Sequence, residues 1–118
     1  MSWKELYEFL KEKGFEVYSI GQHTGKCADF YLVLRNNGTL VSDGTERTDY
    51  EILLYCPLGK YSQFESFIEK VKDTMNELFP AVIYTDGEDP HYLDDATESY
   101  MTNLIYTCPK VSKINRFT

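Results

Sequence analysis

No run in the chain approaches the roughly 20 consecutive apolar residues that a membrane-spanning helix needs. Its opening residues, MSWKELYEFLKEKG, interleave charged with apolar side chains and contain no apolar core segment of a secretory signal. Neither a membrane-embedded nor a secreted product is expected. Basic residues are the minority charge, with 12 Lys and Arg against 19 Asp and Glu and a formal net charge of −7. Affinity for a phosphate backbone comes from clustered cations that release counterions, so specific nucleic-acid binding is not expected, and attraction to an anionic membrane is disfavoured on the same ground. Cysteine is sparse: Cys27, Cys56 and Cys108 are odd in number and show no CxxC spacing, as for reduced thiols in a cytoplasmic compartment. No zinc-ligand spacing, nucleophile elbow or dinucleotide fingerprint is present.

What the chain does have is 42% hydrophobic residues over 118 positions, enough for one domain with its own core. Tyrosine is abundant, at 10 positions. Its amphipathic ring costs little rotamer entropy to fix, which suits the margin of a small core or a protein contact surface.

Two helices are signalled. Ser2 and Glu5 have capping-box spacing, Trp3, Leu6, Phe9 and Leu10 fall on one face, and Gly14 ends the segment. Ser62 and Glu65 repeat the box, and Phe64, Phe67, Ile68, Val71, Met75, Leu78 and Phe79 form a stripe that Pro80 terminates. Strands are expected at 15–20, 28–35, 49–56, 81–85 and 99–108, β-branched and aromatic runs bounded by turn formers. The order of one helix, three strands, one helix and two strands describes a single α+β domain over residues 1–118, with both helices on one face of a largely antiparallel sheet. The stretch NNGTLVSDGTERT, 36–48, is longer than a tight hairpin needs and reads as a flexible projecting arm.

Three stretches invite a chemical reading. GQHTGKC, 21–27, suggests a phosphate loop, but it is one residue short between its glycines and leads into a strand, whereas a phosphate cradle must open a helix. It reads as a glycine-hinged turn joining two strands. A Cys27–His23 nucleophile pair would need a depressed thiol pKa and a third group to orient the base, and only Lys26 hints at the former. The acidic stretch 86–98, DGEDPHYLDDATE, holds Asp86, Glu88, Asp89, Asp94, Asp95 and Glu98 around His91. It lacks the alternating ligand register of a calcium loop and reads as a solvated acidic loop. The competing reading is a small metal-dependent enzyme or ligand-binding domain using this loop. A third reading is a monomeric adaptor for another protein. Cys56 and Cys108, each before a proline, are expected as small buried hydrophobes lying side by side.

Taken together, VYSIGQHTGKCADFYLVL, TDYEILLYCP, SQFESFIEKVKDTMNEL and YLDDATESYMTNLIYTCPK resemble, in that order, the tail terminator and head–tail joining proteins of phages and prophages of Gram-positive bacteria, often labelled minor capsid proteins. The resemblance covers about residues 3 to 110. It implies an α+β subunit that forms a ring, usually a hexamer, on the head-proximal end of the tail tube, between tail-tube protein and head-completion protein. Such a protein resides in the virion after assembly from the host cytoplasm, uses no cofactor or metal and catalyses no reaction. On this reading the arm around Asp43, Glu46 and Arg47 meets a neighbour or the ring lumen, His23 sits in a turn that touches an adjacent subunit, and the acidic loop with Asp86, Glu88 and Asp89 faces a partner.

Overall fold

The computed structural model describes residues 1–111, apart from the side chains of Asp86 and Val111. Helix α1, Trp3–Glu12, begins where the sequence places it. The Ser2 hydroxyl accepts from the Glu5 N–H and the Glu5 carboxylate accepts from the Ser2 N–H, so two orphan donors of the first turn are satisfied reciprocally. After Glu12 the chain reverses through Gly14 at φ +94°, a conformation that favours a residue without Cβ.

The sheet has six strands: β1 Val17–Tyr18, β2 Tyr31–Ser42, β3 Thr45–Pro57, β4 Ile83–Glu88, β5 Tyr92–Asp94 and β6 Ser99–Val111. Its order is β1-β2-β3-β6-β4, and β5 lies beyond β4 along the same edge of β6. All pairings are antiparallel except β1 with β2. The expected strand at 15–20 therefore shrinks to two residues, and GQHTGKC is a long crossover between parallel neighbours rather than a turn. A parallel pair demands such a connection because the chain must return to the end from which it started.

Apolar residues on one sheet face, including Leu32, Leu34, Ile52, Leu54, Leu104 and Tyr106, pack against Leu6 and Leu10 of α1 and Phe64, Ile68, Val71 and Met75 of α2, which spans Phe64–Asn76. Both helices thus cover one face, as the α+β reading requires. Each fully buried aliphatic side chain in this layer contributes about 1.5–3 kcal/mol relative to exposure.

Other sequence expectations need correction as well. The Ser62–Glu65 capping box does not form: a 3-10 turn, Tyr61–Gln63, precedes α2 and places Gln63 at the N-cap without a side-chain hydrogen bond. Phe79 leaves the apolar stripe and is 63% exposed, because the helix has ended before it. Cys56 and Cys108 are both buried but lie at opposite ends of the β3–β6 ladder, opposite Tyr100 and Thr48 respectively. Finally, 36–48 is not a flexible arm. β2 and β3 continue in register to Ser42↔Thr45, joined by the two-residue turn Asp43-Gly44, with φ of +48° and +79°. Two positive φ values characterise the type I′ turn, whose twist matches that of a hairpin. β6 pairs alongside as far as Val111, so the arm is a three-stranded ribbon, and the described residues measure 57 × 27 × 25 Å.

Candidate functional site

Strand alternation sends Tyr31, Val33, Leu53, Tyr55, Met101 and Asn103 to the face away from the helices. The crossover 19–30 folds over part of it. His23 stacks on Tyr31 at 3.9 Å between ring centroids, Tyr31 stacks on Tyr55 at 4.3 Å, and the Cys27 N–H donates to the Thr97 carbonyl at 2.7 Å. The result is a depression of about 160 Å³ lined chiefly by His23, Tyr31, Val33, Arg35, Leu53 and Tyr55. Burial, and then the charge of Asp94, pushes the Tyr55 hydroxyl up to about 12. Beyond the depression, Asn103 donates to Glu51 at 2.6 Å and Asn37 donates to the same carboxylate at 3.3 Å.

This geometry disposes of the Cys27–His23 nucleophile. His23 is engaged through its ring face with Tyr31 and edge-to-face with Tyr18, while the Cys27 thiol donates to the Asp29 carbonyl at 3.1 Å. Burial first, then the neighbouring Cys56, raises that thiol to about 11, so it stays protonated at neutral pH.

At the opposite edge the acidic stretch is partly strand rather than loop, since β4 runs to Glu88 and β5 begins at Tyr92. Here His91 faces Glu88, one of the acids that the sequence sets around it. Its Nε2 is 3.0 Å from Glu88 and its Nδ1 is 2.8 Å from the Tyr61 hydroxyl, while Lys72 donates to the other Glu88 oxygen at 3.0 Å. In neutral His91, Nε2–H donates to Glu88 and Nδ1 accepts from Tyr61. Burial pushes the Glu88 carboxyl up, but the hydrogen bonds from His91 and Lys72 together outweigh this and hold it below its ordinary value. The chain of contacts ties the 3-10 turn, α2 and the β4–β5 connection together. Of the other acids, Asp94 accepts from the Thr97 N–H and hydroxyl, and Glu98 pairs with Lys26 at 2.8 Å. Among the described residues, no group of three or more His, Cys, Asp and Glu side chains comes together to hold a metal ion.

The residues expected at an interface are spread over three places. Asp43 forms the arm's turn, Glu46 pairs with Lys110 at 2.9 Å, and Arg47 lies 3.7 Å from Asp49. His23 is in the crossover on the open face. Glu88 and the exposed Asp89 lie at the far edge, where the Asp89 N–H donates to Asn103 and its carbonyl accepts from Thr102. Asp86 belongs to β4, and its side chain lies outside the described residues.

A fourth surface went unread. Glu65, Glu69, Asp73 and Glu77 are all exposed and recur every four residues, which aligns them along the outer face of α2. Glu77 pairs with Lys13 at 2.7 Å and Glu69 lies 3.7 Å from Lys72. The four-residue spacing is present in the sequence, on the side of α2 opposite its apolar stripe.

No family model matches the chain, and no curated protein matches it.

Proposed function

We propose that the chain is a structural subunit that assembles with copies of itself, as a tail terminator or head–tail joining ring of a phage or prophage. The observation that carries this reading is the three-stranded arm. Beyond Leu34 every residue of β2 to Ser42 is exposed, so that stretch adds little to the subunit's own core. Ordered structure that buries so little within one copy is explained by burial against another protein.

The separation of arm, open face and far edge suits a ring, whose interface is heterologous and joins one patch to a different patch on the next copy. The acidic outer face of α2 suits a channel wall that repels passing DNA. The resemblance to tail terminators supplies the partners, tail-tube protein below and head-completion protein above, with the virion as final location. No reaction is part of this role.

The test is incorporation. Electron microscopy of tails from cells producing the particle, with the subunit labelled, is expected to show a ring at the head-proximal end, and particles lacking the chain are expected to have tails that fail to join heads. Pull-downs that recover neither a tail nor a head component would refute the reading.

A further inference from the structure

We propose that the outer edge of β2 is a self-association site at which a second copy of this chain pairs antiparallel, β2 to β2, about a two-fold axis through Leu40. The proposal stands apart from the ring reading, because two copies meeting in solution need not use the contacts made on a particle.

The geometry starts at the protected end of the edge. β1 covers β2 only at Leu32 and Val33, and the next outward carbonyl, that of Leu34, accepts from the Trp3 indole N–H at 2.8 Å. From Asn36 to Ser42 no described strand pairs with that edge. Which backbone groups point outward follows from the turn. In a two-residue hairpin the closing pair, Ser42↔Thr45, exchanges its hydrogen bonds, so Leu40 bonds to Arg47 and the N–H and C=O groups of Thr39 and Val41 face away from β3.

Edge strands in native proteins are ordinarily blunted by charge, by proline or by covering structure. The sequence Asn36-Asn37-Gly38-Thr39-Leu40-Val41-Ser42 has neither charge nor proline. Its irregularity lies between Asn36 and Thr39, short of the run that would pair. The other edge of the arm, on β6 past Thr107, carries Pro109 and Lys110 and is blunted. Leu40 is 59% exposed and Val41 52%, one on each face of the ribbon.

Why the occupant is a second copy follows from charge and symmetry. Chains of net charge −7 repel, and they can approach most closely where charge is absent or balanced. Apart from Asp43 in its turn, the arm is such a place: the free edge 36–42 is uncharged, and behind it Glu46 pairs with Lys110 and Arg47 with Asp49. The edge is also self-complementary. With Thr39 paired to Val41 of a second copy and Val41 to Thr39, four backbone hydrogen bonds form and Leu40 faces its counterpart across the axis. That pair is non-hydrogen-bonded, with Cα atoms about 4.5 Å apart.

Sedimentation equilibrium and oxidative cross-linking test this on the full chain. The expected result is a concentration-dependent dimer, and copper-phenanthroline oxidation of Leu40→Cys is expected to give a disulfide-linked dimer, because that separation lies within disulfide range. The native cysteines are buried and give a low background. Val41→Pro removes one outward N–H without touching the β2–β3 ladder, and Leu40→Lys sets like charges on the axis. Each is expected to weaken dimerisation at least tenfold while keeping the wild-type thermal transition. Should Val41→Pro unfold, Leu40→Lys and the cross-link decide alone. A protein that stays monomeric at millimolar concentration would overturn the proposal. So would a dimer or hexamer that persists in Leu40→Lys and gives no cross-link, although a hexamer of that kind would favour the ring reading. A cross-linked dimer that never enters particles would do the reverse.

Discussion

Glu88 is the residue whose environment the sequence concealed most. Lys72 is distant along the chain, and the approach of His91 depends on the bend between β4 and β5, so spacing alone could not bring the three together. Its depressed pKa has a definite sign for stability. The folded state binds the proton less tightly than the unfolded chain, so the contribution is fully present above the ordinary value of 4.5 and is lost as pH falls through the lower folded value. Glu88→Gln is expected to be less stable than wild type at pH 7, with the two converging as the pH falls below that range. Denaturant midpoints measured along the acid limb check this. Parallel curves would show that folding does not favour the charged form of Glu88.

At the scale of elements, legibility followed locality. The Ser2–Glu5 box is complete within one helical turn, so α1 could be read directly. The similar spacing at Ser62 and Glu65 misled because the preceding 3-10 turn moves the cap to Gln63, whose φ of −99° and ψ of −5° lie in the helical region. Ser2→Ala is therefore expected to cost about 1 kcal/mol, whereas Ser62→Ala leaves stability unchanged within a few tenths. Thermal unfolding of the two variants separates them, and equal losses would restore the second box. The β2–β3 extension was hidden for another reason. NNGTLVSDGTERT carries little apolar patterning, and its ladder depends on β6 arriving from far along the chain. The one local clue was Asp43-Gly44, the dipeptide that a type I′ turn favours. Nothing local could reveal that β1 runs parallel to β2, since that requires the crossover to lie across the open face.

For the whole molecule the governing quantity is charge. A body of net charge −7 that associates through an uncharged ribbon feels repulsion from everything except the contact. Screening should therefore strengthen self-association: raising ionic strength from about 0.02 M to about 0.5 M shortens the Debye length from roughly 20 Å to roughly 4 Å. Sedimentation at the two salt concentrations is expected to show tighter dimers in the saltier buffer. Weakening by salt would mean that opposite charges, and not the bare strand edge, hold the copies together.

The Tyr50 hydroxyl donates to the carbonyl of Met1 at 3.2 Å, and Trp3, the first residue of α1, reaches the Leu34 carbonyl. Any residues fused ahead of Met1 therefore emerge at the root of the ribbon. A purification handle placed there would crowd the docking edge and mimic a loss of assembly in an otherwise intact protein.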